Sequence, residues 1–225
     1  MMNAEKILAT LENARKVYRQ EAAPVYYVAD LENTIDYVKQ CIREKENKAA
    51  GRDGIGKAMK RVIKSAMQTG SNAFHGAWNT KKGFTAVCDG YRVIRTTEPV
   101  ALKPAPDAIN RFDVDPVIEK SALYSDCIPL PSASELKSMI KITKTGRRNA
   151  TVVYRLAEEC FVNADYLYDA IVATGATEAR SEKTARDWYN NPLYMRNETT
   201  EAIVLPISAG CANHTVAIGN CYIAS

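Results

Sequence analysis

The stretch ECFVNADYLYDAIVATG, residues 159–175, followed after a polar interval by NNPLYMRNETTEAIVLPIS, residues 190–208, reads as one supersecondary unit. Asn163 is a strong helix N-cap, because its side-chain oxygen can accept an amide hydrogen that the first turn leaves unpaired. Asp165 falls in that first turn, where the helix dipole favours an anion. Leu167, Ala170, Ile171 and Thr174 recur at helical spacing until Gly175, which can stop the helix in a left-handed conformation. Beyond it, residues 192–196 and 201–207 are β-type runs separated by Asn197, Glu198, Thr199 and Thr200, a turn chemistry suited to an antiparallel pair. The unit is an amphipathic helix laid on a small meander.

A second unit lies upstream. Over residues 55–68, Ile55, Met59, Val62, Ile63 and Ala66 share one face of a helix, while Lys57, Lys60, Arg61 and Lys64 cluster on the other. Residues 73–79 and 84–88 then read as strands joined at Thr80, Lys81, Lys82 and Gly83, and Asp89-Gly90 reads as a two-residue hairpin turn into 91–95. Residues 1–50 read as a helical region: Ile7, Leu8, Leu11, Ala14 and Tyr18 form one stripe, and Leu31, Ile35, Val38 and Ile42 another, with Asp30 as candidate N-cap. Residues 99–131 carry Pro99, Pro104, Pro106, Pro116, Pro129 and Pro131 and read as an extended, largely irregular connector.

The order of these units and their residues resemble the DNA sliding clamps, the bacterial polymerase III beta clamp and its nuclear-antigen relatives. In that family a helix of the form F-N-x-x-Y-L-x-D-x-L leads through strands to P-L-x-I and to an apolar V-M-P-M strand. Here Phe161, Asn163, Tyr166, Leu167, Asp169 and Ile171 match the helix, Pro192, Leu193 and Met195 the strand, and Val204, Leu205, Pro206 and Ile207 the final run. The stretch from Ala86 to Val93 is likewise similar to the family's A-T-D-G-x-R-L. The resemblance implies an α+β fold: a DNA-clamp-like domain of two helix-plus-antiparallel-strand half-units over 51–208, with the helical region before it and a tail over 209–225.

It also implies a function. In clamps the helices line a central hole and the sheets form the outer wall, so Lys57, Lys60, Arg61 and Lys64 would face duplex DNA. A second basic run, Lys137, Lys141, Lys144, Arg147 and Arg148, begins on a helix whose start is marked by Ser132 and Glu135 as a capping box. Evenly spaced Lys and Arg give salt-sensitive, sequence-independent affinity for phosphates, although most charge runs merely solvate a helix face. Asp165 and Asp169, four apart on the last helix, read as an exposed pair that would repel phosphate; the alternative is that they favour the helix N-terminus or salt-bridge to a neighbour. By position, Leu205, Pro206 and Ile207 would form part of an apolar site for polymerase or clamp-loader peptides, as an edge strand carrying Pro can; the plain alternative is that they cap the core. One domain cannot encircle a duplex unless copies assemble, so a homo-oligomer is the expectation.

Composition fits this reading. The chain has 225 residues, 46% hydrophobic and 25% charged, with a formal charge of +4, enough to bury a substantial core. No apolar run approaches the roughly 20 residues that span a bilayer, so the expectation is a cytoplasmic protein away from the membrane. The six cysteines lack CxxC spacing and read as buried thiols. Gly51, Gly54 and Gly56 read as a break between helices. With His75 and His214 as the only imidazoles, no nucleophile elbow and no phosphate loop, no catalytic residue is assigned, and neither metal nor cofactor is expected. Asp107, Asp113 and Asp115 read as solvated loop acids. The alternative to a DNA-encircling accessory is a clamp-fold protein–protein interaction module that does not encircle DNA.

Overall fold

The computed structural model describes residues 4–20, 25–68, 74–106, 112–145, 150–157, 160–182, 191–207 and 217–223. The architecture is α+β: helices packed against antiparallel sheets, preceded by a helical hairpin. The hairpin is α1 (Ala4–Gln20) and α2 (Val25–Ala49), held along its length by Arg19–Glu32 and by Lys39–Glu12 at 2.8 Å. No residue of α1 is buried. Asp30 is not an N-cap, because α2 begins five residues earlier and the Asp30 carbonyl accepts a hydrogen bond from Thr34 Oγ1 inside the helix.

Asn47 ties this hairpin to the body. Its side-chain amide donates to the Ala101 carbonyl at 2.9 Å and accepts from the Ala101 amide at 2.8 Å, satisfying a buried backbone as a neighbouring strand would. Gly51, at φ 73°, makes the turn into α3 (Asp53–Gln68). Gly54 and Gly56 lie inside α3 instead of in the break between the helices, and Gly56 is pressed so close to Asn47 that a Cβ there would meet its Nδ2 at 2.6 Å.

The main sheet has seven strands in the order β1 (Trp78–Asn79), β2 (Thr85–Cys88), β3 (Arg92–Thr96), β9 (Thr200–Val204), β8 (Leu193–Arg196), β7 (Glu178–Ser181) and β4 (Asp126–Pro129). The two helix-plus-strand units meet where β3 pairs with β9, Arg92 opposite Val204 and Thr96 opposite Thr200. Side chains alternate across it as the pleat requires. Val87, Ile94, Leu193, Met195, Ala202 and Val204 face α3 and α6 (Ala164–Thr174); Ala86, Cys88, Val93, Tyr194 and Ile203 face α4 (Asp115–Ala122). Both faces are therefore covered. A smaller sheet, in the order β10 (Ala217–Ile218), β11 (Cys221–Ile223), β5 (Val152–Ala157) and β6 (Cys160–Asn163), closes the core beneath α5 (Ala133–Thr143) and α6.

Several local expectations hold in detail. Asn163 Oδ1 accepts from the amides of Asp165 and Tyr166, and Gly175 ends α6 at φ 65° with its amide on the Ile171 carbonyl. Ser132 and Glu135 complete the capping box of α5. Others shift. The residues joining β2 to β3 are Gly90 and Tyr91, because the Asp89 amide donates to the Arg92 carbonyl and puts Asp89 at the corner of the turn. Among the described residues 74–79 only Trp78 and Asn79 form a strand, and residues 69–73 lie outside the described set. The segment 99–131 contains α4, with Pro116 in its first turn where a missing amide costs nothing, and β4, which ends at Pro129. Residues 217–223 add β10 and β11 to the small sheet, pairing Cys221 with Tyr154.

Candidate nucleic-acid interface and apolar cavity

Helices α3, α6 and α5 lie side by side on the body, with α6 in the middle. A groove of about 240 Å³ runs over α6 between the other two, walled by Arg61 on one side and Lys137 and Ile140 on the other, and floored by Asp165, Tyr168 and Asp169. Lys64, Lys137 and Lys141 are exposed, and none is in an ion pair among the described residues. The rest of the basic set is partnered. Lys57 pairs with Asp53 at 2.7 Å one turn away, Lys60 with Glu44 on α2, Arg61 with Asp169, and Lys144 with Asp165 at 2.7 Å. Arg147 and Arg148 fall outside the described residues.

Asp169 is where the structure departs most from the expected acidic face. It is 1% exposed, so its charge depends on protein partners. Two guanidinium groups serve. Arg61 binds one carboxylate oxygen and Arg92 Nη1 the other at 2.5 Å, while Arg92 Nε reaches Asp89 Oδ2 at 3.0 Å. The second Asp89 oxygen accepts the amides of Tyr91 and Arg92, so one buried carboxylate shapes the turn and orients the arginine together. The guanidinium of Arg92 lies 4.1 Å from the Tyr166 ring centroid, and that of Arg61 lies 5.5 Å from Tyr168. Burial pushes the Asp169 carboxyl up, and the two arginines pull against it.

A second closed cluster sits under α4. Arg95 bridges Asp115 at 2.6 Å and Glu201 at 2.6 Å, stacks over Phe84 at 4.2 Å, and Glu201 also accepts from the Tyr194 hydroxyl at 2.6 Å. Asp115 is thus a buried ion-pair partner and not a solvated loop acid; Asp113 pairs with Lys81 at 3.0 Å. Asp107 is outside the described residues.

On the sheet face opposite the helical layer, an apolar cavity of about 310 Å³ opens beside the β2–β3 turn. Leu205 lines it with Phe74, Tyr91, Phe112, Val117 and Ile203. Tyr91, Phe112 and Leu205 are substantially exposed at its rim. The run Leu205-Pro206-Ile207 divides its tasks. The Leu205 amide donates to the Tyr91 carbonyl at 2.8 Å, whereas the Ile207 amide donates to the Phe161 carbonyl at 2.7 Å and its side chain packs on Phe161 and Val153. Leu205 meets the cavity; Ile207 stitches the main sheet to the small one.

Cys88, Cys160 and Cys221 are buried, their thiols pushed up to about 11, 12 and 11 by loss of solvent. Cys41 and Cys127 are exposed, unlike the expectation for all six, and Cys211 is outside the described residues. Among the described residues no group of three His, Cys, Asp or Glu could hold a metal, and no helix is long and apolar enough to cross a membrane. Sequence reasoning missed Arg92, Asp89, Arg95 and Tyr166 as members of these clusters. The signal was present only as two arginines flanking Val93 and Ile94 in a short β-type run.

No protein-family model matches the chain, and no curated protein matches it. Among solved structures it is similar to a putative DNA polymerase III beta subunit from Eubacterium rectale ATCC 33656, at 8% identity and a TM-score of 0.42, over 67% of this chain and 63% of that one. It is also similar to the DNA polymerase III beta subunit of Thermotoga maritima, at 15% identity and a TM-score of 0.31, over 57% of this chain and 42% of that one. The chain thus spans less than two thirds of either length, and likenesses this distant assign no activity.

Proposed function

We propose that the protein is a clamp-like accessory of duplex DNA, taking phosphates without regard to sequence on its helical layer and short apolar partner segments at the cavity around Leu205. The observation that carries this reading is the charge left over on the α3–α6–α5 face. Its acids are already neutralised, Asp169 by Arg61 and Arg92 and Asp165 by Lys144, while Lys64, Lys137 and Lys141 remain exposed without acidic partners among the described residues. A surface of spaced, unpaired lysines attracts a polyanion and offers no donor pattern that would select bases. Lys57, Lys60 and Arg61 add to the same face by exchanging their present partners for phosphate, and Arg147 and Arg148 continue the second basic run. Several copies would be needed to surround a duplex. Polymerase or clamp-loader peptides are the partners this reading supplies for Leu205, Pro206 and the cavity, with Ile207 fixing their strand.

The test is binding of duplexes of unrelated sequence, followed by fluorescence anisotropy across a salt series. Equal affinity for all sequences, falling steeply with salt, is expected. Changing Lys64, Lys137 and Lys141 together to Gln should lower the log–log salt slope by about two to three. Absence of binding at low salt overturns the reading. The second reading, an interaction module that does not hold DNA, is favoured by the pairing of Lys57, Lys60 and Arg61 with protein acids; it predicts that Leu205→Glu abolishes partner capture while DNA has no effect.

A further inference from the structure

The groove and the apolar cavity lie on opposite faces of the sheet, yet one chain of charges runs between them. Arg61 belongs to the groove wall and Asp169 to its floor. Asp169 holds Arg92, Arg92 holds Asp89, and the turn that Asp89 shapes presents Gly90, Tyr91 and Arg92 to the cavity. Tyr91 also stacks on Tyr166 at 6.3 Å, the ring that carries the Arg92 guanidinium. We propose that this chain makes the two sites antagonistic, so that a polyanion in the groove and an apolar ligand in the cavity each weaken the other. The inference rests on the reading above, that the groove takes phosphates and the cavity takes apolar segments.

The physical reason is a charge count. Arg61 and Arg92 balance Asp89 and Asp169 while all four are together. Of the four, Arg61 alone is free to leave: its side chain is 42% exposed, whereas those of Arg92, Asp89 and Asp169 are exposed by 4, 0 and 2%. A phosphate in the groove competes with Asp169 for Arg61, since both offer charged acceptors and Asp169 has only one oxygen to give it, the other being held by Arg92. Once Arg61 turns to the phosphate, the buried corner behind the cavity carries one negative charge too many. Covering the cavity with an apolar group excludes water from the side of that corner lined by Gly90, Tyr91 and Arg92 and raises the cost of the excess charge. The two-state element is the Arg61 side chain, on Asp169 or on phosphate, and both ligands bias it. A partner seated at the cavity would in this way loosen the hold on DNA, which is what a protein that must move along a duplex requires.

The experiment measures binding of Nile red, an uncharged solvatochromic dye, and of a short blunt DNA duplex to the full-length chain, each alone and each in the presence of saturating amounts of the other. Saturating duplex is expected to weaken the dye about fivefold, and the dye to weaken the duplex by the same factor, because binding linkage is reciprocal. Leu205→Glu should remove dye binding and thereby locate it in the cavity. Arg61→Gln should leave the excess charge in place permanently: the dye binds about fivefold more weakly without DNA and no longer responds to it. Asp169→Asn, where it folds, should remove the response and keep tight dye binding. Binding of both ligands with no mutual effect, or with mutual tightening, overturns the inference and leaves the proposed function standing. Failure of the duplex to bind at all overturns both.

Discussion

Helices α3 and α6 lie against each other on the same sheet, and each carries charged residues at helical spacing, but the charges do opposite things. On α3 they stay outside: Lys57, Lys60, Arg61 and Lys64 ring the solvent face while Met59, Val62 and Ile63 fill the core. On α6 the acid at 169 goes inside with Leu167 and Ala170, and the acid at 165 stays at the edge with Lys144. Helical period alone places a side chain on a face of the cylinder. Which face is buried depends on the neighbour, and α3 delivers Arg61 while β3 delivers Arg92 to the same side of α6. The difference teaches that a charge on an apolar face marks a cross-element contact, whereas a charge on a polar face marks solvent or a ligand.

The contrast is broken most directly at Asp169. Replacing it with Ala leaves Arg92 buried without its main partner, and denaturant unfolding should report a loss of about 3–5 kcal/mol; a loss within the noise of a surface substitution would mean that Arg92 finds water in the folded protein. Asn163→Ala sharpens it at the next scale, since the cap serves α6 alone: about 1 kcal/mol should disappear, with duplex affinity unchanged. The smallest effect belongs to α3. Lys60→Ala removes an exposed ion pair to Glu44 and should cost under about 1 kcal/mol, less still in high salt. That pair also has a pH signature. Lys60 and Gln40 hold the Glu44 carboxyl below its ordinary value of 4.5, so its contribution is complete above that pH and fades as pH falls through the lowered value. Comparing the acid limb of unfolding for the wild type and Lys60→Ala checks the sign: the variant should be the less acid-sensitive of the two.

Much of the candidate site could be read in the chain because it rests on local signals. The lysine stripe of α3, the capping box of α5 and the cap and stop of α6 each depend on residues within a turn of one another. Leu205 could be found as well, since Pro206 marks where a strand ceases to pair. The cavity beside it could not, because Phe112 and Val117 arrive from the 99–131 segment, whose prolines gave it an irregular appearance, and Phe74 comes from a run that read as a strand. Pro116 turned out to begin a helix and Pro129 to end an edge strand, positions where proline removes no needed hydrogen bond.

By itself the sequence determined the helical character of 1–50, the helices α3, α5 and α6, several of the strands, and that the chain carries clustered positive charge, because propensity, capping and amphipathic period act over a few residues. Only the tertiary structure decided which charges are spent. Asp169, Arg92 and Asp89 are 77 and 80 positions apart along the chain at their widest, counted from Asp169, and no local rule relates them. They become one object when α6 settles on β3, since a buried carboxylate cannot remain unpaired and folding must bring its partner to it.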